Sequence, residues 1–189
     1  MEYSHDGGPV GPERAGSVSE ESSGQSGLAW YAIYTRSRFE AVVQDGLRGK
    51  GYEAFCPFYK ARRRRGARNV DVVVPLFPSY VFCRFDASKR LPVLQTVGVT
   101  FIISRAGEPE PVDPTEIASL QSIMQSGRPV QPWDFVKAGR RVRIRAGSLA
   151  GVEGILLRVK NKSRLVASVT VLQQSVAVEI DQDMLEPIY

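Results

Sequence analysis

Histidine is nearly missing from this chain: the one copy, His5, stands among the first few residues. A histidine-dependent triad or a histidine-bearing zinc site therefore has nothing to build on in the rest of the sequence. Cysteine is equally scarce. The two present, Cys56 and Cys83, each stand beside large apolar residues, which favours buried free thiols and a reducing compartment. No apolar run approaches the ~18 residues of a membrane span, and the first residues lack the basic-then-apolar pattern of a secretory leader. The expectation is a cytoplasmic protein with no membrane association. A phosphate-binding loop is also lacking. The glycines of Arg145-Ala146-Gly147-Ser148-Leu149-Ala150-Gly151-Val152-Glu153-Gly154 are followed by neither Gly-Lys-Ser/Thr nor a helix, so they read as turn and bulge positions in a β-structure. No pair of acids stands in a matched apolar setting. These absences exclude most catalytic classes, and the reading is a non-enzymatic protein with no metal and no cofactor.

What is there divides into regions. Residues 1–28 are rich in Gly and Ser and carry five acids against one arginine, so a disordered acidic tail is expected. Its net charge of −4 leaves about +9 of the overall +5 on the remainder, a surplus that favours an anionic partner such as nucleic acid. Trp30–Thr35 reads as a strand, followed by Ser37-Arg38-Phe39-Glu40, a capping-box pattern, and then a helical period ending at Gly49 and Gly51. A second strand is expected over Tyr52–Tyr59. Next come six cations in the nine residues Lys60–Arg68, a hairpin tip or loop in which nothing can be buried. Arg62, Arg63, Arg64 and Arg65 are candidate phosphate contacts, and Arg36 and Arg38, at the first strand–helix junction, are candidates for a nucleic-acid backbone or base edge.

Val72–Phe85 (VVVPLFPSYVFCRF) is the stretch around which the rest is arranged. Pro75 and Pro78 interrupt it, which predicts a bent or edge strand presenting an aromatic cluster to a partner protein. A short helix is expected within Ser88–Val97 and a strand over Val99–Ser104. Asp113-Pro114-Thr115-Glu116 is a second helix start. Arg128–Phe135, with two prolines, reads as a linker. Four short alternating segments follow, Arg141–Arg145, Gly154–Val159, Leu165–Leu172 and Val176–Ile180, the pattern of a small all-β barrel or sandwich. Strict alternation leaves Leu172 pointing outward beside the Gln173-Gln174-Ser175 turn, either a lone exposed leucine or a grip for a second partner. The predicted fold class is α+β: an N-terminal α/β sandwich with an antiparallel sheet over 29–127, a linker over 128–135, and a β-barrel over 136–189.

These residues resemble the NusG-type transcription factors, particularly the specialised paralogues of the RfaH and UpxY kind. Trp30–Thr35 is similar to the entry strand of that family's N-terminal (NGN) domain. Pro75–Phe82 is similar to its Phe-Pro-Gly-Tyr-Val motif, with Ser79 in place of the glycine. Val142–Ile155 is similar to the KOW motif of its SH3-like barrel, with Gly147, Gly151 and Gly154 at turn positions. The resemblance implies that Phe77, Pro78, Tyr80 and Phe82 bind the clamp helices of the RNA polymerase largest subunit. It also implies that Arg36 touches the exposed non-template DNA strand. The barrel would recruit Rho or a small-subunit ribosomal protein near Leu172 and Gln174. The implied role is a transcription elongation or antitermination factor, monomeric when free; a ribosome- or RNA-binding KOW protein is the alternative. In one paralogue the barrel converts from a helical hairpin. Here Leu165–Ile180 is dominated by Val, Ser and Thr and lacks helical periodicity, so a barrel from the outset is expected.

Overall fold

Trp30–Thr35 is aromatic and β-branched, and it forms the middle of β1 (Leu28–Thr35), the strand on which the N-terminal sheet is built. The computed structural model describes residues 27–136, 139–159 and 162–188. The expected acidic tail lies, but for its last two residues, outside them. After β1 come α1 (Glu40–Gly49), β2 (Glu53–Phe55), β3 (Phe58–Arg65), β4 (Arg68–Pro75), β5 (Tyr80–Asp86), α2 (Leu91–Leu94) and β6 (Val99–Ile102). A small hairpin of β7 (Ser104–Arg105) and β8 (Glu108–Pro109) leads to β9 (Pro111–Val112) and α3 (Pro114–Gln125).

The N-terminal sheet runs β2-β5-β1-β6, with β9 also paired to β1, and every pairing is antiparallel. Alternation sends successive side chains to opposite faces. Tyr31, Ile33, Val81, Cys83 and Phe85 meet Val43 and Leu47 of α1 and Val93 of α2 in one buried cluster. Trp30, Ala32 and Phe82 point the other way, into a cluster that includes Ile117, Leu120 and Ile123 of α3. The sheet is thus a layer between helices, the α+β sandwich expected.

The remaining chain forms a six-stranded antiparallel sheet in the order β10-β14-β13-β12-β11-β15. Its strands are β10 (Val130–Trp133), β11 (Arg140–Ile144), β12 (Glu153–Val159), β13 (Lys162–Val169), β14 (Gln174–Ile180) and β15 (Leu185–Pro187). Val142, Ile144, Leu149, Val152, Leu165, Val169, Val176 and Val178 are buried inside it. Residues 165–180 are strand apart from one turn, as the β-branched composition predicts.

Four local expectations are corrected. The Ser37–Glu40 capping box does not form: α1 is capped by Phe39 without a side-chain bond, and Glu40 is drawn away to another partner. Cys56-Pro57 splits the expected second strand into β2 and β3. The segment Val72–Phe85 is two strands, not one bent or edge strand. Pro75 ends β4, Pro78 lies in the turn, and proline-free β5 occupies an interior position between β2 and β1. Residues 130–133, expected as linker, join the C-terminal sheet as β10, where Pro132 is tolerated because β10 is an edge. By contrast, Asp113 caps α3 as anticipated, its carboxylate accepting from the Thr115 N–H at 2.8 Å with Pro114 in the first turn.

Candidate functional site

The turn Leu76–Ser79 is held from three directions. The Leu76 N–H donates to the Pro57 carbonyl at 2.8 Å, the Thr35 N–H donates to the Ser79 carbonyl at 2.9 Å, and the Ser79 N–H donates to Glu40 Oε1 at 2.8 Å. Ser79 stands at φ 65°, the left-handed region a glycine enters more easily. The buried Glu40 carboxylate, by accepting that amide, stabilises a conformation that serine does not favour unaided.

This clamp decides which aromatic rings reach solvent. Phe77 and Phe82 turn inward, 1% and 0% exposed, and pack edge to face with centroids 5.8 Å apart. The exposed four-residue cluster expected from the sequence is therefore half core: Pro78 is exposed and Tyr80 is half-buried. The register explains the split. Phe82 pairs with Ala32 deep in the sheet, over the face that α3 covers, whereas Tyr80 pairs with Tyr34 at the sheet's end.

Tyr34 in turn pairs with Phe101 of β6. The three rings make a cross-strand ladder: Tyr80 lies edge to face with Tyr34 at 5.4 Å, and Tyr34 stacks on Phe101 at 4.8 Å. Phe101 is 45% exposed. Burial, with the neighbouring Tyr34, raises the Tyr80 hydroxyl above the usual tyrosine range, so Tyr80 is neutral at physiological pH. Sequence reasoning missed Tyr34 and Phe101. Each sits in a segment recognised as a strand, but their meeting depends on the pairing register between residues far apart in the chain.

Arg36 and Arg38 follow β1 directly and are exposed, Arg38 at φ 66°. The Arg36 N–H donates to the Gly98 carbonyl at 2.9 Å, which fixes the basic turn immediately beyond Tyr34. Arg62–Arg65, expected at a hairpin tip or in a loop, lie on the strand leading to a hairpin tip: β3 and β4 form a separate two-stranded sheet whose turn is Gly66-Ala67. All four arginines are exposed.

In the C-terminal sheet, Leu172 is 9% exposed rather than outward-facing. Strand β13 stops at Val169, and residues 170–172 form one turn of 3-10 helix, which breaks the alternation and rotates Leu172 into the core cluster. Gln173 takes the left-handed conformation, φ 52°, and Gln174 is half-exposed at the start of β14. The Thr170 hydroxyl donates to Glu116 Oε1 of α3 at 2.6 Å. Partial burial raises the Glu116 carboxyl above its ordinary range, opposed by the Thr170 hydrogen bonds. Gly147 and Gly151 occupy positive-φ turns, at 84° and 86°. Gly154 is required for a different reason: a Cβ there would fall 2.5 Å from the Val166 carbonyl on the neighbouring strand.

Among the described residues no group of His, Cys, Asp or Glu is arranged to hold a metal. Burial pushes both thiols up to about 12, with Glu40 adding to the effect at Cys56 and Glu53 at Cys83. Neither sulfur is a nucleophile near neutral pH. The groups this arrangement offers are an aromatic ladder, two exposed basic elements and a C-terminal β-sheet.

Residues 28–121 match the family model described as NusG, transcription termination factor nusG. The chain is 29% identical over 182 residues to the transcription termination/antitermination protein NusG of Deinococcus radiodurans, covering 82% of this chain and 96% of that protein. It is 27% identical over 171 residues to the protein of the same name from Escherichia coli K12, covering 83% and 94%. A solved structure on domain interaction in Thermotoga maritima NusG overlaps 86% of this chain and 98% of its own, with a TM-score of 0.48 and 19% identity.

Proposed function

We propose that this chain, a NusG-like protein, is a transcription termination/antitermination factor that docks on RNA polymerase through the aromatic ladder of its N-terminal sheet. The observation that carries this reading is the ladder Tyr80–Tyr34–Phe101, whose half-exposed Phe101, with exposed Pro78, leaves apolar surface at the end of the sheet. Tyrosine and its aromatic neighbours are the side chains that anchor protein interfaces. The ladder lies within the residues that match the family model. The family resemblance supplies the partner, the clamp helices of the largest polymerase subunit. In this reading Phe77 and Phe82 act from beneath, holding Tyr80 in place, and do not themselves touch the partner.

Arg36 and Arg38, next along β1, meet the displaced non-template strand once the ladder is seated. The C-terminal sheet recruits the second partner, Rho or a small-subunit ribosomal protein, at the β13–β14 connection. There it presents Gln173 and Gln174, with Leu172 offered only when that turn rearranges. Bridging polymerase in this way suppresses pausing or termination.

The test is co-purification with bacterial core polymerase, compared with capture on naked structured RNA. Wild type is expected to be retained by polymerase. Tyr80→Ala and Phe101→Ala should each weaken retention by about 1–3 kcal/mol, the loss typical of a truncated interface anchor. Full retention of the folded Tyr80→Ala/Phe101→Ala double variant rejects the docking surface, and binding to RNA but not to polymerase supports a ribosome- or RNA-binding protein instead.

A further inference from the structure

We infer that the β3–β4 ribbon is a duplex-DNA probe that enters the major groove edge-on, with phosphates flanking both of its faces. The proposal goes beyond the function above, in which Arg36 and Arg38 meet a single strand, and adds a second nucleic-acid element whose form of nucleic acid it names.

Directly opposed residues of an antiparallel pair share a face, and faces alternate along the strand. The register pairs Lys60 with Val73, Arg62 with Asp71 and Arg64 with Asn69 on one side, and Arg63 with Val70 and Arg65 with Arg68 on the other. Each face therefore bears three cations. A ribbon built to lie flat on a charged surface needs them on one face only. Three on each side matches a slot with a negative wall at either hand. The single acid on the ribbon, Asp71, offsets only part of one face.

The cations are also unspent. No ion pair among the described residues involves Lys60, Arg62, Arg63, Arg64, Arg65 or Arg68, and the one side-chain hydrogen bond is from Arg64 Nε to the Gly66 carbonyl at 3.0 Å. The ribbon's root is fixed, because Phe58, Tyr59, Val74 and Pro75 are partly buried and Tyr59 packs on the main core. From Arg62 to Asp71 every residue is exposed. Eight residues per strand reach about 26 Å at about 3.3 Å each.

Dimensions choose between duplexes. The B-form major groove is about 12 Å wide and 8.5 Å deep and admits a two-stranded ribbon, whereas the A-form major groove is too narrow and deep for side chains to read. Exposed Val70 and Val73, 40% and 67% accessible, stand one on each face, so an apolar side chain is available to a thymine methyl from either orientation.

The experiment measures full-length protein, without polymerase, against a 24-base-pair DNA duplex of mixed sequence, an RNA duplex of the same sequence and the single DNA strand, by fluorescence anisotropy over a salt series. Binding is expected to be tightest to duplex DNA, with a log–log salt slope of about −4 to −5 for some five phosphate contacts. Guanine N7 atoms, which lie in the major groove, should be protected from dimethyl sulfate. Arg62→Gln/Arg64→Gln and Arg63→Gln/Arg65→Gln remove two cations from opposite faces, and each pair should make the slope shallower by about 1.8. Circular dichroism checks that these exposed changes leave the fold intact. The inference is overturned if one face pair has no effect, if N7 stays reactive, or if the RNA duplex or single strand binds as tightly as the DNA duplex. Failure here with polymerase retention intact removes only the ribbon's role; duplex binding with no polymerase retention removes the docking surface and leaves the ribbon.

Discussion

Truncating Phe82 and truncating Phe101 should have opposite consequences, and the contrast tests whether the ladder or the buried pair forms the surface. Phe82 is fully buried, its ring against Phe77 at 5.8 Å and stacked on Phe55 at 6.3 Å. Phe→Ala at such a site loses the transfer free energy of the ring and leaves a cavity, about 3–5 kcal/mol together. With a urea slope of about 2 kcal/mol/M, a loss of about 4 kcal/mol moves the unfolding midpoint down by about 2 M. Trp30, buried in the same cluster, reports this directly. The second tryptophan, Trp133, is best replaced by Phe so that its fluorescence does not mix in. Phe101 is half-exposed and loses chiefly its stacking on Tyr34, about 0.5–1.5 kcal/mol, so its midpoint should fall by less than about 1 M. Polymerase retention should then fall for Phe101→Ala at urea-free conditions where the protein is fully folded. Equal midpoints for the two variants, or an unshifted midpoint for Phe82→Ala, would refute the inside–outside division on which the docking surface depends.

Three further outcomes are expected. With both thiols pushed up to about 12, Cys56 and Cys83 should resist iodoacetamide at pH 8 in the native protein and react in denaturant; native labelling of either at the rate of free cysteine contradicts their burial. Gly154→Ala should destabilise the C-terminal sheet by about 1–3 kcal/mol because its methyl meets the Val166 carbonyl at 2.5 Å, whereas an unchanged Trp133 unfolding curve would show that β12 and β13 can separate freely. Glu116 has its pKa raised from the ordinary 4.5, so the folded state holds the extra proton. Stability from this group is full at pH below that value and is lost as pH rises through the raised one. The urea midpoint of wild type minus that of Glu116→Gln should therefore decline upward from pH 4.5, and a flat or rising difference removes the effect assigned to burial.

Much of the local structure was legible because its causes are local. The Asp113-Pro114 start of α3 needs only a carboxylate within reach of an amide two residues on and a proline where no donor is wanted. The strand character of residues 165–180 follows from β-branched side chains, and the turn roles of Gly147 and Gly151 from positive φ. The failures share a different cause. Ser37–Glu40 satisfies every rule for a capping box, yet Glu40 is taken by the Ser79 amide, 39 residues away. Alternation puts Leu172 outside until a single helical turn at 170–172 resets the phase. Pro132 marks a linker until β14 offers it an edge.

From order and composition alone came the α+β fold class, the strand-rich C-terminal region, the scarcity of histidine, the basic excess outside the first residues, and a family resemblance matched over residues 28–121. Tertiary structure decided which rings face solvent. Phe77, Tyr80 and Phe82 are equally apolar to read. Pairing Tyr80 with Tyr34 at the sheet end, and Phe82 with Ala32 under α3, made one of them surface and the others core. It likewise turned a run of arginines into a ribbon with two charged faces. Burial and register are properties of segments brought together from far apart in the chain, so no window along the sequence contains them.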